Sequence, residues 1–353
     1  HFLKQSMYIQ VFHKNLVFHF LQEYLINKTT MNERNYSIDI LKFSCAVLVI
    51  FLHTNSNFQE ITLPFTRCAV PCFFIISGYL LFGKNNISQD RLNRNLKHVA
   101  KISLWSTLFF IVWTEFKNIV EFGTIFIPSY IDIVEWIVFN DNPFAFHLWY
   151  LFAYMYVLLI ISLVNKYDKW KLLYWFTPVL LFGDLVLGKY SLLIWGYEPN
   201  FLLARNFLFV GLPYFTLGTI IKRFVDQDFV FKKRYLLLVG IILFTVTTYG
   251  EKFFLTSVNM FATRDHYLST TFLALCIFLL SLSFKTGHKS TISILGEKYS
   301  LYIYIFHPIF ILCCNIIFKL IGLHNMYLYI SPIVVLIATI IFTFCLFKIK
   351  IIK

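Results

Sequence analysis

The chain is built from long apolar runs separated by short polar clusters. A run of about 20 apolar residues is what a helix needs to cross the hydrocarbon core of a bilayer. Ten such runs are read along the sequence, at 38–54, 63–82, 99–120, 145–164, 172–187, 202–221, 235–255, 267–284, 299–321 and 326–347. The fifth is short, and Glu115 and Lys117 interrupt the third. The expected fold class is all-α: a polytopic membrane helix bundle with about ten transmembrane helices. Residues 31–353 read as one integral membrane domain, because no stretch of soluble-domain composition is left over. Residues 1–30 stand apart as an N-terminal extension, amphipathic and too polar for a span. They read either as a non-native, over-extended start or as an interfacial helix, with MNERNYSIDIL at Met31 resembling a natural beginning.

The first run, IDILKFSCAVLVIFLHT, contains Asp39, Lys42 and His53. Lys42 and His53 lie eleven residues apart, about 20° beyond three full helical turns, and Asp39 is three residues before Lys42. One stripe therefore carries an acid, a base and an imidazole over about 20 Å. An ionised side chain at membrane depth costs ~2.5–3.5 kcal/mol on insertion scales, so such residues mark pathways or catalytic sites by default. Asp39 and Lys42 are expected to pair and to orient the stripe.

Composition agrees with the pattern, with 58% of residues hydrophobic and 14% charged. The net charge of +13 is a matter of topology. With the N-terminus placed inside, the outer loops hold only Lys189, Lys252 and Arg264, and most other cations fall on inner segments. This asymmetry implies N-in/C-in orientation and argues against a nucleic-acid partner. HExxH spacing, a phosphate-binding glycine loop and CxxC pairs are all missing, so no metal site and no nucleotide-hydrolysing pump are expected.

Further polar residues punctuate the spans. Arg67 opens RCAVPCFFIISGYLLF, where Pro71 and the Ser77-Gly78 pair should bend the helix and let a neighbour approach closely. Arg91, Arg94, Lys97 and Lys101 repeat at helical spacing and form a basic ridge leading into the third span, suited to gripping phosphates. His147, Trp149 and Tyr150 in FAFHLWYLF read either as an aromatic belt or as a platform for sugar rings. Arg205 and Asn206 put a cation and an amide near the outer end of the sixth span. His307, before Pro308, reads as a histidine bonded to a neighbouring helix.

Taken in order, these segments resemble the bacterial acyltransferase-3 family of multi-pass membrane acyltransferases that modify cell-surface polysaccharides. The likeness runs from about Met31 to the C-terminus. It is carried by Asp39, Lys42 and His53, by Arg67 with VPCFFIISGYL, by Arg91 and Arg94, and by HLWYL, LPYFTLG and SLYIYIFHP. The resemblance implies a stand-alone form in a bacterial cytoplasmic (inner) membrane of the cell envelope, without the esterase domain many members carry. It implies O-acetylation or a related acyl transfer, with acetyl-CoA or another acyl-CoA as co-substrate and no permanently bound cofactor. Arg91, Arg94 and Lys97 would hold the CoA phosphates. His53 would act as general base on a glycan hydroxyl, either directly or through an acyl-imidazole. Arg67, and Arg205 with it, would stabilise the oxyanion, and Arg205, Trp149, Tyr150 and His147 would bind the acceptor. Membrane lipid, a glycan acceptor and polysaccharide biosynthesis machinery are the expected partners. Buried ions and helix breaks also suit a polysaccharide or small-molecule exporter, which would not need the loop cations. The eukaryotic-type membrane-bound O-acyltransferases also use a buried histidine, but the motif order fits the bacterial family.

Overall fold

The computed structural model describes residues 35–83, 86–284 and 289–349. The extension at 1–30 and the start at Met31 lie outside the described residues. Within them every regular element is helical. Helix α1 (Tyr36–His53) opens the bundle. The second crossing is divided into α2 (Gln59–Thr66) and α3 (Ala69–Leu81), with Arg67 and Cys68 in the break. Helix α4 (Gln89–Phe122) is one continuous 34-residue rod joining the basic ridge to the third span. A short helix, α5 (Tyr130–Phe139), follows and buries none of its residues. The remaining helices of more than ten residues are α6 (Trp149–Lys166), α7 (Trp170–Leu187), α8 (Leu212–Phe224), α9 (Arg234–Ser257), α10 (Leu268–Ser283), α11 (Ser300–Leu320) and α12 (His324–Lys348), and three shorter ones lie between them.

Among the described residues, nine helical segments are long and apolar enough to cross a membrane, and the 16-residue α10 is a shorter apolar helix. Together they account for the ten runs seen in the sequence. Three crossings begin irregularly: a 3-10 turn at Phe146–Leu148 precedes α6, and π turns at Phe207–Gly211 and Leu295–Tyr299 precede α8 and α11. Non-α backbone at membrane depth is tolerated where protein surrounds it, and π turns frequently mark functional sites.

Helix α1 is central, touching α2, α3, α10, α11, α12 and the π turn at Leu295–Tyr299. That turn meets α1 through Gly296, where a Cβ would stand 1.6 Å from the Asp39 carbonyl oxygen, so only glycine fits. The most extensive helix pair is α3 with α8. It closes through reciprocal glycines: a Cβ on Gly78 would lie 2.0 Å from the Phe215 carbonyl oxygen, and one on Gly218 would lie 2.1 Å from that of Ile75. The close approach expected at Ser77-Gly78 is therefore present, whereas the helix break falls earlier than Pro71, at Arg67 and Cys68. Small residues are the usual means of bringing membrane helices together, since lipid removes the hydrophobic drive between them.

Contacts between segments define two ends of the bundle. At the Lys42 end, Asn165 bonds Ile87 and the Gln227 amide donates to the Tyr79 hydroxyl at 2.9 Å. At the other end Arg67 pairs with Asp265, Lys252 with Glu60, and the Asn57 amide donates to the Leu328 carbonyl.

Candidate functional site

His53 is the last residue of α1, half-buried beneath two further imidazoles. Its ring stacks on His307 at 5.4 Å between centroids and meets Phe146 edge-on at 5.8 Å. The His147 ring lies 5.7 Å from that of His307. His147 and His307 are essentially buried, with 2% and 0% of their surface exposed. His147 donates through Nε2 to the Ile305 carbonyl at 3.0 Å, which ties the start of α6 to α11. His307 donates through Nδ1 to the Tyr304 carbonyl at 2.7 Å, on its own helix. This corrects the expected bond to a neighbouring helix, and the reason is local. Pro308 has no N–H for the Tyr304 carbonyl, so the histidine side chain serves that acceptor instead.

Beside the imidazoles lies a charged cavity of about 220 Å³, lined by Asp184, Phe201, Arg205, Thr263, Arg264 and Asp265 together with Gly188 and Ala204. Arg67 reaches Asp265 at 2.5 Å, and Asp184 and His266 meet at 2.8 Å, both buried. Arg67, Arg205 and Asp265 are near enough to His53 to act on it electrostatically. Burial would raise the Asp265 carboxyl, but Arg67, Arg205, His266 and Lys189 together hold it below the usual carboxylate range. Burial, with Arg67 close by, pushes the Lys189 ammonium down to about 7. Lys189 donates to the Ala262 carbonyl at 2.9 Å and lies over the Phe261 and Tyr267 rings. Arg205 is held loosely, 3.8 Å from Asp141, with its guanidinium over Phe201 at 4.7 Å and Trp149 at 5.6 Å. Burial raises the Asp141 carboxyl against the pull of Arg205.

A second cavity of about 230 Å³ opens toward the Lys42 end, lined among others by Lys42, Ser77, Asn95, His98, Tyr150, Tyr154, Glu297 and Tyr304. Lys42 is paired with Asp39 at 3.0 Å, as expected, and Asp39 is buried. Tyr150 and Tyr304 both line this cavity, and the Tyr304 ring lies 6.0 Å from that of His147 and 6.3 Å from that of His307. The Tyr150 and Tyr304 rings are 5.5 Å apart, and the Tyr304 hydroxyl donates to the His147 carbonyl.

The structure thus gathers His53, Arg67 and Arg205 at one end and Asp39, Lys42 and Tyr150 at the other. The sequence stripe joins two sites and is not a single constellation. His147, Trp149 and Tyr150 are all buried and reach different surroundings: a backbone carbonyl, the Arg205 guanidinium and the second cavity. They do not form one open platform for a sugar ring. Arg91, Arg94 and Lys97 are exposed on the first turns of α4. Arg91 donates to the Leu80 carbonyl at 2.6 Å, and it is Asn95 and His98, at i+4 and i+7 on the same helix face, that line the cavity. Asp265, His266 and Lys189 were missed because loop residues give no periodic signal. Asp184 could have been found, since it is a carboxylate inside an apolar run and carries the signal that singled out Lys42.

The pattern of the acyltransferase-3 family, described as an acyltransferase domain, matches residues 35–347. Among curated proteins, an amino-acid racemase of Enterococcus faecalis is 27% identical over 318 residues, covering 82% of this chain and 43% of the relative. A second amino-acid racemase of that species is 28% identical over 210 residues, covering 55% and 29%. A serine/alanine racemase of Enterococcus gallinarum is 25% identical over 300 residues, covering 78% and 40%. The chain spans less than half the length of the curated relatives it matches. No solved structure matches it.

Proposed function

The chain belongs to the acyltransferase-3 family and is a multi-pass membrane acyltransferase; on that premise we propose that it transfers an acyl group, acetyl in the simplest case, from cytoplasmic acyl-CoA to a glycan hydroxyl. The observation that carries this reading is the pair of cavities at opposite ends of α1, one reaching toward the imidazoles through Tyr304 and the other lying beside Arg67 and Arg205. Lys42 and His53 are separated by about 16 Å along α1. A donor entering at one end and an acceptor at the other would therefore meet near His53 without either crossing the bilayer whole.

The cation distribution supports placing the Lys42 end inside, in the cytoplasmic membrane of a bacterium. Arg91, Arg94 and Lys97 then stand at the inner mouth, where exposed guanidiniums suit bidentate contact with CoA phosphates. The acyl arm passes Lys42, Tyr150 and Tyr154. At the reacting end, the acceptor oxygen attacks the thioester carbonyl while His53 takes the hydroxyl proton. Arg67 and Arg205 stabilise the oxyanion of the tetrahedral intermediate. Collapse forms the ester, breaks the carbon–sulfur bond and returns the proton from His53 to the thiolate. Replacing His53 with Ala should abolish acyl transfer in membranes at unchanged protein level, read by mass spectrometry of the surface glycan. Substantial remaining transfer would remove His53 as the base, and protein in liposomes that neither binds nor consumes acyl-CoA would favour an exporter.

One observation favours a second class of acceptor. The cavity beside His53 offers guanidiniums and carboxylates together, the complement of a zwitterion, and the Enterococcus relatives are named for amino acids. Supplying labelled acetyl-CoA with serine or alanine in place of glycan tests it: an N- or O-acetyl amino acid as product would select this class.

A further inference from the structure

Among the described residues, His307 is the imidazole of the cluster whose unpaired ring nitrogen is fully buried. A carbonyl oxygen can only accept, so the 2.7 Å contact with the Tyr304 carbonyl requires the proton on Nδ1. Pro308 fixes that choice, because it leaves the Tyr304 carbonyl without its helical donor. Nε2 is then a bare lone pair. It is fully buried, without a hydrogen-bond partner among the described residues. A buried acceptor left unpaired typically costs about 1–3 kcal/mol, which calls for an explanation. The ring that carries it is stacked on that of His53, at 5.4 Å between centroids and 30°. Among the described residues, no hydrogen bond fixes which nitrogen of His53 carries the proton. His147 has its Nε2 committed to the Ile305 carbonyl, and the imidazole stacked on His53 is that of His307.

We propose that His307 is the positioning residue for His53, its bare Nε2 accepting the N–H of the His53 ring when substrate is seated. The inference rests on the reading of His53 as the base. In the resting enzyme the rings lie face to face. Seating the acceptor turns the N–H edge of His53 toward Nε2, the kind of tightening that catalytic hydrogen bonds often require. The other His53 nitrogen is thereby fixed as the lone pair that takes the hydroxyl proton. The resulting imidazolium is held by a neutral partner, the role a carboxylate plays in hydrolase triads. The proton stays on His53 until the thiolate takes it, and His307 keeps its own Nδ1 proton throughout.

The test compares full-length wild type with H307A, H307Q and H53A in detergent, following thiol release from acetyl-CoA and thermal unfolding. Gln retains an acceptor near the position of Nε2 but cannot act as a base. H307A should lower kcat on the order of 100-fold with KM changed less than about twofold, and H307Q should recover to within about tenfold of wild type. Unfolding midpoints of the two His307 variants should agree. Full activity in H307A, or H307Q as slow as H307A, overturns the proposal, as does a rate loss that simply follows a lowered midpoint. A second readout needs no turnover: the rate at which diethyl pyrocarbonate modifies His53 with acceptor seated and acetyl-CoA withheld, resolved by peptide mass spectrometry. It should fall several-fold in H307A and be retained in H307Q, and an equal or faster rate in H307A contradicts the pairing. Should H53A keep its thiol release, the base assignment fails instead, and the modification rate alone judges the pair.

Discussion

At the scale of single residues, the site is made by partners that fix what each charged group can do. Arg67 is tied to Asp265, and removing either side chain leaves the other half-buried without its counter-ion. In a double-mutant cycle, R67A and D265N should each destabilise by about 1–3 kcal/mol and couple by about 1–2 kcal/mol, measured by unfolding in detergent. Additive effects would mean that the contact contributes nothing to the fold. Lys189 gives a pH test. Its pKa falls from 10.5 to about 7 on folding, so between those values the unfolded chain binds more protons than the folded one. Stability should therefore rise as pH increases from 7 to 10, by at most about 5 kcal/mol from this group, and K189M should lack that component. Equal slopes in the two proteins would show that the ammonium is not destabilised by burial.

At the scale of elements, close approach and interruption matter more than helix propensity. The α3–α8 contact depends on two hydrogens in place of side chains, at Gly78 and Gly218. G218V should destabilise by about 3 kcal/mol or more, because the blocking atoms are backbone and cannot rotate away, and G250V, with no atom near its Cβ position, is the control. Comparable midpoints in thermal unfolding would contradict the packing. The runs themselves were legible: apolar length placed every crossing, and the Asp39–Lys42 pair followed from a spacing of three. The breaks were less so. Pro71 pointed to a bend, but the chain breaks before it, and the π turns at Phe207–Gly211 and Leu295–Tyr299 leave no mark in apolar periodicity. Tertiary contact, as where Gly296 meets the Asp39 carbonyl, shapes those segments.

At the scale of the whole molecule, α1 acts as a spacer between two cavities, with its titratable residues at either end. The sequence stripe gave the spacing of Lys42 and His53 but not their separate surroundings, because Asp184, Asp265 and His266 arrive from elsewhere in the chain. On this account the loop cations act on donor affinity and leave the chemistry alone. R91A/R94A should raise KM for acyl-CoA about tenfold or more while changing kcat little, and an unchanged KM would take these arginines out of the donor site. The sidedness of the donor bears on everything above. Purified protein can be placed in liposomes of known orientation, with labelled acetyl-CoA supplied to one face only and acceptor to the other. Transfer is expected only when the donor is at the Lys42 end, and it should vanish in H53A. Transfer with the donor confined to the His53 end, or transfer that survives in H53A, would contradict the two-ended site.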